Sequence, residues 1–185
     1  MKIAFRIPRS IYSTAAVPTK TSRTACRALL AIDPAPGGGI AWLDQAHGIM
    51  AAPLPATDGG IVASLREVVS GAKRARRLTA FISYASGYRL CSKSRPKVFL
   101  LGERFGFLKA AVLALKVKLV VVHPVIWQRP LGAVNYLNTW PETEWNNFLV
   151  NEARRRLPKL EVTSATATAL LLLDWTIRGR GELSA

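Results

Sequence analysis

Asp33 is the residue whose type and setting suggest chemistry. It ends an apolar segment, and a turn containing Pro34 and Gly37 to Gly39 leads into a second apolar segment. A carboxylate raised at a strand end suits a hard divalent cation, but phosphodiester hydrolysis with two such ions needs several converging acids. The alternative is an aspartate that binds backbone amides of its own turn. The glycines are hairpin glycines, because no P-loop lysine follows them.

The charge of the chain favours a polyanionic partner. With 26 Lys and Arg against 11 Asp and Glu in 185 residues, the net charge is +15. Such an excess favours nucleic acid over a merely basic protein, and an anionic membrane surface comes third. An apolar content of 50% allows a buried core, and Lys116 and Lys118 interrupt the longest apolar stretches, so we predict no membrane span.

Cysteine and histidine are too sparse for a zinc enzyme. Cys26 and Cys91 lie far apart outside any CxxC motif, and the two histidines are His47 and His123. Neither a zinc site nor a disulfide framework is predicted. Trp127, Trp140 and Trp145 flank a loop and either stack on bases or, as is more common, pack at the core edge.

Three regions are expected along the chain. Residues 1–29 are basic and contain no acid, which is typical of a mitochondrial targeting segment or of an arm that binds nucleic acid. Residues 30–178 form the folded domain, and 179–185 form a tail. The candidate phosphate-binding cations are Arg6, Arg9, Lys20, Arg23, Arg27, Lys73, Arg74, Arg76, Arg77, Arg89, Lys93, Arg95, Lys97, Arg129, Arg154, Arg155 and Arg156.

The pattern of apolar and turn residues predicts an α/β domain. A strand, turn and strand cover 30–43, a third strand covers 49–54, and Asp58 caps a helix that ends in the basic run 73–77. The remaining elements are a strand at 78–83, a helix from Phe99 to Lys116, a strand at 118–122, a helix at 141–157 and a helix at 163–177. Thr139 is the candidate N-cap of the helix at 141–157. This is the element order of the ribonuclease H-like fold, in which helices flank a mixed central sheet.

Five segments resemble the RuvC-type Holliday junction resolvases, in particular their phage and organellar branch. They are IDPAPGGGIA at 32–41, GERFGFL at 102–108, HPVIWQ at 123–128, TEW at 143–145 and VTSATATALLL at 162–172. Order and spacing together make the resemblance more specific than any one motif. It covers about residues 30–175 and implies that the helix from Phe99 to Lys116 forms a dimer contact.

The resemblance also implies two magnesium ions held by about four acids. Asp33 matches the first acid, but Ser83 and Thr168 stand at two other acid positions, and the remaining one has only Ser164, Ala165 or Thr166. The spacing of other acids, such as Asp174, does not suggest compensation. If the resemblance holds, Asp33, Ser83 and Thr168 should cluster at one end of the sheet.

We therefore predict a degenerate RuvC-like protein that is not an enzyme and uses no cofactor. Its expected partner is structured nucleic acid, and rRNA is the favoured one. The expected setting is a mitochondrial ribosome or its assembly intermediate, where neighbouring proteins would also contact the chain. The alternative is an active junction resolvase that uses Mg²⁺ with shifted ligands on mitochondrial DNA. A third possibility is a non-catalytic partner that dimerises with an active paralogue.

Overall fold

A computed structural model of the chain describes residues 28–44, 47–72, 78–84, 95–132 and 140–182. The strands are β1 (Leu29–Ile32), β2 (Gly39–Asp44), β3 (Gly48–Pro53), β4 (Thr79–Ser83) and β5 (Lys118–Val122). The helices are α1 (Asp58–Ala72), α2 (Arg95–Ala114), α3 (Pro124–Gln128), α4 (Glu142–Arg156) and α5 (Ser164–Glu182), and a 3-10 turn (Arg129–Leu131) follows α3.

One mixed sheet of five strands, in the order β3-β2-β1-β4-β5, organises the domain. β2 pairs antiparallel with β1 and β3, whereas β1, β4 and β5 run parallel. Short turns join the antiparallel strands, and helices make the parallel crossovers, as parallel pairing requires. This arrangement is the ribonuclease H-like α/β fold that the element order predicts.

The central strand β1 separates two apolar layers. Its four residues are all buried, and they alternate between the faces of the sheet. Leu29 and Ala31 pack with residues of α4 and α5, whereas Leu30 and Ile32 pack with residues of α1 and α2. A strand buried on both sides reads as a continuous apolar run, which is why the sequence identifies it.

The structure differs from the predicted elements in five places. Thr57 rather than Asp58 caps α1, because its hydroxyl accepts the Gly60 N–H at 3.2 Å. α4 begins after Pro141, which makes no side-chain cap, while Thr139 and the basic run 73–77 lie outside the described residues. α2 begins at Arg95, earlier than predicted, and α3 was not predicted. α5 continues to Glu182, past the predicted end of this helix at residue 177.

Within the described ranges, no helix has the length and apolar character needed to cross a bilayer.

Candidate nucleic-acid interface

The carboxyl ends of the three parallel strands form one edge of the sheet. Ile32 pairs with Ile82, and Ser83 pairs with Val122, so Asp33, Ser83 and His123 follow each other across neighbouring strands. We call these three residues the carboxyl edge. In parallel α/β sheets this edge is where ligands ordinarily bind.

Asp33 forms part of its own turn. Its Oδ1 accepts the Ala35 N–H at 3.1 Å, while its backbone N–H donates to the Gly39 carbonyl at 2.9 Å. The turn leaves no space for side chains at two glycines: a Cβ on Gly38 would lie 2.5 Å from the Asp33 carbonyl oxygen, and one on Gly39 would lie 2.6 Å from the Ala165 carbonyl oxygen. The turn-forming role weighed from the sequence is therefore present.

Ser83 carries a buried hydroxyl at the end of β4. The Trp127 indole Nε1–H donates to its Oγ at 3.3 Å. Ser83 is 6% exposed and Trp127 is fully buried, so the contact is shielded from water. At the position where the resemblance implies an acid, the molecule has a neutral hydrogen bond between β4 and α3.

Thr168 lies on α5, whose first turn approaches the same edge. Ala165, one turn before Thr168, packs its carbonyl against Gly39, the residue whose carbonyl accepts the Asp33 N–H. The helix start is capped reciprocally: the Thr166 N–H donates to Thr163 Oγ1 at 3.3 Å, and the Thr163 N–H donates to Thr166 Oγ1 at 3.1 Å. Register thus brings Asp33 and Ser83 to one edge, and Thr168 follows half-buried on the adjoining helix.

One carboxylate, that of Asp33, stands among the three predicted acid positions at this edge. Ser83 carries a hydroxyl, whose Oγ accepts an indole N–H. Asp174 lies in ion pairs between helices, and the Asp44 carboxylate accepts the His47 N–H at 2.9 Å. Across the described parts of the chain, no three His, Cys, Asp or Glu side chains come together as a metal-binding group.

Two exposed cations lie on the first turn of α2, beyond the carboxyl edge. Tyr84 directly follows Ser83 at this edge, and its ring contacts Phe105 of α2 at 5.5 Å between centroids. α2 extends ten residues from Phe105 back to Arg95, which at 1.5 Å per residue carries Arg95 about 15 Å farther along the helix. α2 leads to the amino end of β5, so its first turn lies toward the carboxyl ends of the strands, and Arg95 and Lys97 are both exposed there.

A second group of cations lies where α3 and α4 end. Arg129 is exposed directly after α3, and Arg154 is exposed near the end of α4, with its Nη2 donating to the Val162 carbonyl at 3.3 Å. Arg155 is also exposed, but it forms two hydrogen bonds to the Glu152 carboxylate at 2.7 and 2.8 Å.

Arg156 differs from its neighbours in its contacts. Its guanidinium binds Glu152 at 2.6 Å, Asp174 at 3.2 Å and the Pro130 carbonyl at 3.3 Å, with 14% of the side chain exposed. These three internal partners join elements of the protein, and contact of Arg156 with a phosphate stays a prediction. The remaining predicted cations lie outside the described residues: Arg6, Arg9, Lys20, Arg23, Arg27, Lys73, Arg74, Arg76, Arg77, Arg89 and Lys93.

The acids that meet Arg156 form the ion-pair network of Glu152, Arg155, Arg156, Asp174 and Arg178. Hydrogen bonds from Arg155, and then from Arg156, lower the pKa of Glu152 to about 2 against an opposing contribution from burial. Asp174 is buried and binds Arg178 at 2.8 and 2.9 Å as well as Arg156. The sequence could have predicted the pairing of Glu152 with Arg155 and Arg156, because residues three and four apart are neighbours on a helix. No such spacing relates Asp174 to Arg156.

The tryptophans near the loop pack in the core. Trp127 is fully buried, Trp145 is 5% exposed, and Trp140 and Trp145 both contact the Phe148 ring, at 5.5 and 5.7 Å between centroids. Of the two sequence-based interpretations, core packing is the one that the structure supports for these residues.

No protein family profile and no curated protein matches the sequence. Among solved structures, the chain is similar to T. thermophilus RuvC in complex with a Holliday junction substrate, with 17% identity, a TM-score of 0.49, and coverage of 83% of this chain and 96% of that one. A second Thermus thermophilus RuvC structure gives 17% identity, a TM-score of 0.47, and coverage of 82% and 95%. The ribonuclease H-like fold of this chain is defined by the order and the directions of its five strands.

Proposed function

We propose that this chain binds structured nucleic acid across the carboxyl edge without cleaving it. The observation that carries the proposal is the Ser83 hydroxyl, which is buried and hydrogen-bonded to Trp127 at a position where a two-metal nuclease requires a charged ligand. Structured RNA is the proposed ligand, with rRNA of a mitochondrial ribosome or its assembly intermediate as the setting. The acid-free residues 1–29 and the net charge of +15 support a polyanionic ligand.

The proposed inactivity follows from the donors at the edge. Cleavage through two metals places cations against both the attacking and the leaving oxygen, and these cations need several carboxylates to hold them. Ser83 and Thr168 are uncharged, and Asp33 already accepts a backbone N–H. Binding needs none of these acids, because the exposed Arg and Lys side chains around the carboxyl edge attract phosphates.

A charge-reversal experiment tests binding at this edge. Fluorescence anisotropy would measure the affinity for a structured RNA hairpin and for a four-way DNA junction over a series of salt concentrations. Arg129→Glu combined with Lys97→Glu should weaken RNA binding at least about tenfold and lower the log-log salt slope by about two, because two phosphate contacts are lost.

The matched control reverses two lysines at the opposite edge. Lys116 and Lys118 are exposed at the amino end of β5, and Lys116→Glu with Lys118→Glu changes the net charge by the same amount. If both double variants bind equally weakly, the effect is one of overall charge, and the carboxyl edge is not the interface.

Junction resolution is the second candidate, because Asp33 is kept at the end of β1. Incubation of a labelled four-way junction with Mg²⁺ or Mn²⁺ separates the two functions. We expect no cleavage by the wild-type chain. Cleavage that Asp33→Asn abolishes would establish a metal-dependent nuclease with shifted ligands and overturn the proposal of inactivity.

A further inference from the structure

β5 is an outer strand of the sheet, and within the described ranges β4 is the strand that pairs with it. The Tyr84 N–H donates to the Val122 carbonyl at 2.8 Å, which fixes the direction of the main-chain groups along β5. Consecutive residues of a strand direct their N–H and C=O groups to opposite sides. The main-chain groups of Leu119 and Val121 therefore point away from β4, and we call this side of the strand the outer edge of β5.

The two outer strands of the sheet differ in how they are protected. β3 ends at Pro53, which has no N–H to donate. Three of its residues, Ile49, Ala51 and Ala52, are also buried. β5 contains no proline, and Val121 near its carboxyl end is 43% exposed. Proteins ordinarily block or cover a strand edge because it can pair with another chain, so the outer edge of β5 is a candidate contact surface.

The carboxyl end of this edge is apolar. Ile126 is 56% exposed, and its N–H donates to the His123 carbonyl at 2.9 Å, so it lies in the turn directly after β5. Val121 and Ile126 thus present two exposed β-branched side chains close together in the chain. Such side chains stabilise a paired strand that carries apolar side chains of its own.

The amino end of the same edge is positively charged. Lys116 and Lys118 are exposed, and residues 116–123 contain no Asp or Glu. Lys116 has a φ of +57° and donates its N–H to the Leu113 carbonyl at 2.9 Å, so a main-chain bond fixes the turn that presents it. A partner strand with acids at this end is therefore favoured. A second copy would instead bring the same lysines and a further net charge of +15.

We infer that the outer edge of β5 binds an extended acidic segment of another protein, which joins the sheet as an additional strand. Pairing with the main-chain groups of Leu119 and Val121 supplies affinity, and the flanking side chains select the sequence of the segment. Nucleic acid fits this edge less well, because its backbone has no alternating N–H and C=O groups. The inference goes beyond the proposed function and does not depend on it, since it requires no nucleic acid.

The test uses the full chain and a labelled synthetic peptide of three valine–threonine repeats followed by three glutamates. In an antiparallel pair its glutamates meet Lys116 and Lys118, and fluorescence anisotropy should detect binding. Replacing the glutamates by lysines should abolish that binding. A peptide N-methylated at every valine and threonine keeps its charges but has no N–H there, and it should bind at least about tenfold more weakly.

Hydrogen exchange followed by NMR locates the contact on the wild-type chain. The peptide should slow exchange of the Leu119 and Val121 amides, whose N–H groups it accepts. Val121→Pro removes one of these donors and should weaken peptide binding at least about fivefold. Val121→Thr is the matched control, because it keeps the N–H and the β-branched shape, and it should bind as wild type does. If Val121→Pro fails to fold by circular dichroism, the exchange measurement decides.

Four results would overturn the inference. They are absence of peptide binding, undiminished binding of the N-methylated peptide, and binding that leaves exchange of Leu119 and Val121 unchanged. The fourth is a different occupant of the same edge. Sedimentation of a dimer that Val121→Pro disrupts would assign the edge to a second copy, and protection of the two amides by an RNA hairpin would assign it to nucleic acid.

Discussion

The carboxyl edge and the interface between α4 and α5 handle polar groups in opposite ways. At the interface, Glu152, Arg156 and Asp174 are largely enclosed and bind one another as ions. At the edge, where a metal-dependent nuclease would concentrate charge, the buried contact is a neutral hydrogen bond between Ser83 and Trp127. The charges that this protein encloses therefore serve to join helices.

This difference separates stability from recognition. An enclosed ion is costly to leave without its partner, whereas a neutral hydrogen bond contributes on the order of 1 kcal/mol. Mutations in the ion-pair network should therefore act mainly on unfolding, and mutations of exposed groups around the edge should act mainly on binding.

The largest expected effect is that of Arg156→Ala. The substitution removes one of the two cations that bind the buried Asp174 carboxylate, and it also removes the hydrogen bond from Arg156 to the Pro130 carbonyl. The free energy of unfolding should fall by about 3 kcal/mol. Urea denaturation followed by circular dichroism would measure the loss. Arg155→Ala is the comparison: that side chain is 68% exposed and Glu152 keeps Arg156 as a partner, so the loss should be smaller than in Arg156→Ala. Equal losses in the two variants would contradict a special role for the enclosed pair.

A smaller effect is expected at the carboxyl edge. Ser83→Ala leaves the buried Trp127 N–H without its acceptor and should destabilise the protein by about 1 to 2 kcal/mol. Combining it with Trp127→Phe in a double-mutant cycle should give a coupling energy of about 1 kcal/mol, because both variants break the same bond. RNA affinity should be unchanged in Ser83→Ala. Strictly additive losses would mean that the two groups do not interact in solution.

A further effect is the pH dependence of the contribution that Glu152 makes to stability. Its pKa in the folded protein is about 2, below the ordinary value of 4.5, so its stabilising contribution is complete above pH 4.5 and is lost as the pH falls toward 2. Glu152→Gln should be less stable than wild type at neutral pH, and the difference should shrink across that interval. Denaturant titrations at several pH values would measure it, and a difference that grows on acidification would have the wrong sign for this mechanism.

The fold was predictable because its signals are local. Glycines mark the turns around β2, with φ of +76° at Gly37 and +81° at Gly48, and the buried strands are continuous apolar runs. The five-residue helix α3 gave no signal, since a segment that short has no measurable helical period. Gly179 resembles a helix stop, yet α5 continues to Glu182.

The site was predictable in position but only partly in content. Parallel pairing is enough to place Asp33 beside Ser83, once the strands are known. The donor to Ser83 lies 44 residues away on the unpredicted helix, and Asp174 meets Arg156 across 18 residues. Such contacts depend on how helices pack, and the sequence pattern alone contains no information on those neighbours.

The glycine turn beside Asp33 has a meaning for how sequences of this kind are classified. Gly38 and Gly39 are required by main-chain crowding against Asp33 and Ala165, and neither requirement involves a reaction. An aspartate followed by a glycine run can therefore satisfy main-chain packing whether or not it takes part in a reaction, since a side chain at Gly38 would crowd the turn itself and one at Gly39 would crowd α5. The motif by itself therefore marks a packing requirement of the turn and does not identify a nuclease. The residues with diagnostic value are Ser83 and Thr168, which stand where the resemblance implies acids.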